Sequence, residues 1–190
     1  MTTRYLHRVL PIFGAVLALM GQYPFAAQAQ VPPANDDFVN AEVLPTDGTW
    51  LGSNIDATVE PGEPLHDGVP TGASIWFQWT APTEGFVTVD TFGSDFDTVL
   101  ALYTGTAVDA LTVVASNDDS QGLLSQLWLI PVSAGVVHKL AVAGYSADQG
   151  NVTLNVSFWD GTDTTPPVIT IDSPQEGATF VEGAVVPASY

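Results

Sequence analysis

The chain has 190 residues, 46% of them hydrophobic, with 21 Asp and Glu against three Lys and Arg and no cysteine. The missing cysteine excludes disulfides, thiolate zinc sites, iron–sulfur clusters and thiol nucleophiles. A formal charge of −18 leaves no cation-rich patch for nucleic acid and disfavours anionic lipid, while the apolar content is high enough for a packed core.

The first 29 residues have the layout of a cleavable secretory signal. Arg4 and Arg8 give a basic start, VLPIFGAVLALM an apolar stretch, and Ala27-Gln28-Ala29 a small-x-small cleavage site. The apolar stretch falls short of the roughly 20 residues that cross a bilayer, so no membrane insertion is expected after cleavage. Removing this segment leaves Lys139 as the only base against all 21 acidic side chains, a formal charge of −20. Divalent cations or a salty medium would relieve that self-repulsion.

After the extended VPPA comes NDDFVNAEVL. Asn35, Asp36 and Asp37 suit the N-cap of a single helical turn, and three adjacent oxygen-bearing side chains also suit a hard cation. Residues 50–58 read as a strand, followed by a loop in which two prolines and two glycines between positions 61 and 68 forbid regular structure. Glu60, Glu63, His66 and Asp67 lie on that loop, either solvated or completing an oxygen cage begun by Asn35 and Asp36. His66 beside Asp67 could form a catalytic pair, but no nucleophile accompanies it.

Residues 73–80 alternate, with Ile75, Phe77 and Trp79 on the face assigned to the core and Ser74, Trp76, Gln78 and Thr80 on the other. Trp76 therefore reads either as cover for a loop or edge, or as a flat platform for sugar or peptide. Residues 86–119 form the centre of the chain: strand 86–91, acidic turn 93–97, strand 98–103, a hairpin loop around Gly105, strand 111–115, then the acidic turn of Asn117, Asp118 and Asp119. Carboxylates gathered at such turns can hold a cation, and Asp95 with Asp97 is the pair that a carboxylate-dependent hydrolase would need.

Residues 125–130 alternate again, placing Trp128 opposite Leu127 and Leu129 as a second candidate platform. A strand over 136–145 puts His138 on the side of Leu140 and Val142, as a core or strand-end histidine. Residues 151–158 alternate most cleanly, with Val152, Leu154, Val156 and Phe158 inward and two N-x-[ST] sequons outward. A Pro-ended linker over 160–167 leads to a second alternating pattern over 168–190, which reads as the first strands of another β-domain.

The fold class expected is thus all-β: an antiparallel, jelly-roll-like β-sandwich over 30–159, preceded by the signal and followed by the first strands of a second β-sandwich domain. NDDFVNAEVL, GSNIDATVEPGEPLH, SIWFQWTAP, FDTVLALYTG, the NDD at 117–119 and GNVTLNVSF, in that order, resemble the bacterial pre-peptidase C-terminal domain. TPPVITIDSPQEGATFVEGAVV resembles the opening of a bacterial immunoglobulin-like domain. The first resemblance implies a non-catalytic module appended to exported proteins. It is also similar to collagen-binding domains of clostridial collagenases, where calcium sits between an N-terminal Asn-Asp segment and acidic residues of a nearby loop. Asn35 and Asp36 match the former, Glu60 and Glu63 the latter.

The expected function is an exported or cell-surface accessory module, stabilised by calcium, that binds extracellular protein or polysaccharide or another domain of its own parent chain. H-E-x-x-H and G-x-S-x-G are both absent. The alternative is a carbohydrate-binding, lectin-like module using Trp76 and Trp128. The calcium ligands expected are Asn35, Asp36, Asp37, Glu60, Glu63, Asp118 and Asp119.

Overall fold

The computed structural model describes residues 31–162. The signal over 1–29, most of the 160–167 linker and the second pattern over 168–190 lie outside the described residues. Nine strands are present among those described: β1 (Glu42–Val43), β2 (Gly48–Ser53), β3 (Thr71–Thr80), β4 (Gly85–Asp90), β5 (Thr98–Thr104), β6 (Thr112–Asn117), β7 (Gln126–Val132), β8 (Val137–Tyr145) and β9 (Asn151–Trp159). They form two sheets, ordered β1-β3-β8-β5-β6 and β2-β9-β4-β7, stacked as a β-sandwich. Every pairing is antiparallel except that of the two-residue β1 with β3, which is parallel.

The main core follows from the period-2 alternation. Ile75, Phe77 and Trp79 of β3, Leu100 and Leu102 of β5, and Leu140 and Val142 of β8 face Val87 and Val89 of β4, Leu127 of β7, and Val152, Leu154 and Val156 of β9. Outward positions of β9 carry the Asn and Thr residues expected there. His138 is buried next to Trp79, in keeping with its assignment to the core side.

The strand expected over 50–58 stops at Ser53. Asn54 turns the chain instead: its amide donates to the Ala73 carbonyl at 2.9 Å and its side-chain oxygen accepts the Gly150 N–H at 2.8 Å. Strand β7 also breaks its expected alternation. Leu129 has a φ of 49° and is exposed, at a register shift between Val87 and Val89 of β4, so the bulge turns Leu129 away from the side of Leu127.

A second, smaller core corrects the reading of Trp76. Alternation placed this residue opposite Phe77, as observed, but that face is not open: Trp76 is 0% exposed among Phe38, Ala101, Tyr103 and Ala141. Phe38 meets it edge-on with ring centroids 5.2 Å apart. Two single-turn 3-10 segments, Phe38–Asn40 and His66–Gly68, cover the outer face of the first sheet and bring these rings there.

Candidate metal site

The N-terminal segment is fastened to the sheet by the residues expected to ligate calcium. The Asn35 carbonyl accepts the Trp76 N–H at 2.8 Å and its amide donates to the Trp76 carbonyl at 3.1 Å, so Asn35 extends the ladder of β3. Asp36 is buried and accepts both the backbone N–H of Thr58 (2.6 Å) and its hydroxyl (2.9 Å). Glu60 accepts the Phe38 N–H, and Glu63 accepts the Glu60 N–H at 2.8 Å. Asp37 is exposed and only approaches the Asn40 amide, at 3.4 Å. Asp36, Glu60 and Glu63 are thus gathered around one loop, with their oxygens engaged by N–H and O–H donors of the chain.

His66 is fully buried beneath this loop. One ring nitrogen lies 2.9 Å from Glu63 Oε1 and the other 2.7 Å from the Tyr103 hydroxyl. Burial, followed by the charges of Glu63 and Asp67, raises the Tyr103 hydroxyl well above its usual range. Asp67 does not pair with His66 but accepts the Ser116 hydroxyl at 2.7 Å, so the catalytic pairing of His66 with Asp67 is overturned. Asp95 and Asp97 likewise part company. Asp95 accepts the backbone N–H and side-chain amide of Asn151 at 2.6 and 2.7 Å, fastening its turn to β9.

Asp97 points to different company. Among the described residues, one group of three acidic or histidine side chains brings a ligand atom from each within 4.8 Å of the others, and it consists of Asp97, Asp118 and Asp119. The β5–β6 pairing explains this meeting: Leu100 lies opposite Asn117, so the residue before β5 and those after β6 share one end of the sheet. The turn is held from behind. Ser125 Oγ donates to the Asp118 carbonyl at 2.6 Å, and Asn117 Oδ1 accepts the Gln126 N–H at 2.9 Å.

Asp97 Oδ1 and Asp118 Oδ1 are buried and accept no hydrogen bond. Burial first, then the charges of Asp119 and Asp148, push the Asp97 carboxyl above the usual carboxylate range. Burial, then Asp119, Asp97 and Asp67, do the same to Asp118. One buried, unpartnered oxygen on each of Asp97 and Asp118, beside the exposed Asp119, is a donor set that could hold a hard, oxygen-seeking dication such as calcium. Asp118 and Asp119 were expected from sequence; Asp97 was not, although its place just before a strand whose hairpin partner ends in NDD was visible.

Of the two tryptophans expected as platforms, Trp128 is 65% exposed, whereas the burial of Trp76 removes it as a surface for any ligand. No helix among the described residues is long and apolar enough to cross a membrane.

The molecule is therefore an all-β protein of the two-sheet sandwich class. In fold it is similar to the pre-peptidase C-terminal domain of a collagenase from Bacillus anthracis, at 13% identity and a TM-score of 0.42 over 62% of this chain and 94% of that one. It is also similar to a periplasmic inhibitor of g-type lysozyme from Aeromonas hydrophila, at 12% identity and a TM-score of 0.40 over 63% of this chain and 96% of that one. No protein-family model and no curated protein matches the chain.

Proposed function

We propose that this chain supplies a non-catalytic, exported or cell-surface accessory module, stabilised by calcium at Asp97, Asp118 and Asp119, which binds extracellular polymer or another domain of its own parent protein. The observation that carries the calcium reading is the pair of buried, unpartnered oxygens on Asp97 and Asp118, beside a third carboxylate. A dication would satisfy both and offset part of the −20 charge. Backbone carbonyls of the turn and water would complete the shell. Asn35, Asp36, Glu60 and Glu63 are left to the fastening of the N-terminal segment, and Asp37 stays exposed beside it.

The non-catalytic reading draws on the state of the side chains able to move protons near neutral pH. Both described histidines, His66 and His138, are buried, and His66 is tied to Glu63 and Tyr103. Export is supported by the signal-like N-terminus and by the ordered motifs that resemble the pre-peptidase C-terminal domain.

The test is thermal unfolding of the secreted protein in calcium and in chelator. For an extracellular site with a dissociation constant of about 1 mM, 10 mM calcium adds roughly 1.4 kcal/mol. The expected outcome is a higher midpoint in calcium that disappears in an Asp97→Asn, Asp118→Asn double variant. Equal midpoints in the unsubstituted protein overturn the metal assignment.

A further inference from the structure

The outer face of the second sheet carries two aromatic rings and a proline side by side that the calcium reading does not use. In the ladder, Phe86 of β4 lies between Trp159 of β9 and Pro131 of β7. Phe86 and Trp159 stack with centroids 5.7 Å apart and planes 26° apart, and they stay 36% and 46% exposed. Two adjacent, partly exposed aromatic rings offer apolar area on this face of the sheet. Two strand spacings make this row about 10 Å wide, the reach of a disaccharide rather than of a single small molecule.

A concavity of about 430 Å³ opens beside the row, lined by Glu84, Phe86, Pro131, Ser133 and Asp160 among others. Glu84 is exposed and makes no hydrogen bond among the described residues, while Asp160 accepts the Thr162 hydroxyl at 2.7 Å and its N–H at 2.9 Å. Those bonds, the hydroxyl's first, hold the Asp160 carboxyl below its usual range. Neither carboxylate has a base to answer it. Lys139, the one Lys or Arg among the described residues, is on β8 of the other sheet, donating to Gln78 and lying over the Phe38 ring.

The edge of this sheet narrows the choice of ligand. An extended peptide would add to β7 as a further strand, but Pro131 offers no N–H and the bulge at Leu129 interrupts the ladder. Trp128 is exposed on the same strand. A ligand suited to this surface lies on apolar rings, is not anionic, and brings positive charge to two carboxylates.

We propose that Pro131, Phe86 and Trp159, flanked by Glu84, Asp160 and Trp128, form a binding surface for a polysaccharide carrying free amino sugars. The apolar faces of the pyranose rings pack on Phe86, Trp159 and Pro131, and the ammonium groups meet Glu84 and Asp160. This inference rests on the polymer-binding reading above and names its polymer. The surface lies at the Phe86 end of β4, whereas the metal site adjoins the opposite end of the strands, about 13 Å away along β4 at ordinary strand rise.

The experiment titrates the whole secreted protein with a β-1,4-linked glucosamine hexamer, its fully N-acetylated counterpart and oligolysine, reading tryptophan fluorescence and calorimetric heat. Saturable binding of the glucosamine hexamer is expected, weakened about tenfold by Trp159→Ala. Glu84→Gln, an exposed change with no bearing on folding, is expected to weaken it about threefold. The proposal is overturned by absent binding, by binding that survives both substitutions, or by equal affinity for the N-acetylated hexamer or for oligolysine. The calcium midpoint is measured on the same samples: a calcium shift without sugar binding overturns this inference alone, and sugar binding without a calcium shift overturns only the metal assignment.

Discussion

Replacing Asp36 by Ala separates two roles that one side chain could play. The structure gives its carboxylate two hydrogen bonds to Thr58, at 2.6 and 2.9 Å, in a position 8% exposed. Hydrogen bonds to a charged acceptor contribute about 1.5–3 kcal/mol each, and the loss leaves two donors of Thr58 poorly satisfied. Because Thr58 is at a loop edge, water recovers part of this, and a net destabilisation of about 3 kcal/mol is expected. At about 4 °C per kcal/mol for a domain of this size, the unfolding midpoint falls by about 12 °C. The assay is circular dichroism melting in chelator and again in calcium, with Asp37→Ala as the control. Asp37 is exposed, so its loss should cost less than about 0.5 kcal/mol. A fastening role requires the same loss for Asp36→Ala in both buffers. A loss below about 1 kcal/mol in chelator, or one that appears only with calcium, refutes the reasoning and returns Asp36 to the metal.

The raised carboxyls of Asp97 and Asp118 give the metal-free protein a pH dependence of definite sign. Above the ordinary carboxylate value the folded state binds more protons than the unfolded state, so stability rises as pH falls from neutral toward that value; melts in chelator should show this, and calcium should flatten it. Tyr103→Phe removes the hydroxyl that meets His66 at 2.7 Å in a fully buried site and should cost about 1–3 kcal/mol in a denaturant titration, against almost nothing for the exposed Tyr145→Phe. Gly144→Ala drives a methyl group into the Asp148 carbonyl, a backbone atom that cannot swing aside. A loss of about 3 kcal/mol or failure to accumulate is expected, and wild-type melting would refute the packing described.

Strand positions were legible wherever alternation was uninterrupted. In 73–80 and 151–158 each side chain falls on the side that period 2 assigns, because these segments pair over most of their length. Alternation says which side a residue takes, however, and not what lies above it. Trp76 was on the correct side, and its reading as loop cover fits while the platform reading fails, since it is covered by Phe38, far away in sequence, and by Tyr103 on another strand. The 50–58 strand failed for a related reason: Asn54 leaves the ladder to satisfy groups of Ala73 and Gly150, partners no local pattern reveals. The metal site was half legible. The NDD turn stood out by composition, but Asp97 joins it only through the β5–β6 register, and the same carboxylate looked equally well matched to Asp95.

The pairing of β2 with β9 sets the order in which the molecule can assemble. Thr49 lies opposite Asn155, so among the described strands β2 has no hydrogen-bonding neighbour until β9 has been made. Closing so long a loop before any reward is slow, so this edge of the sandwich is expected to be a late one to form.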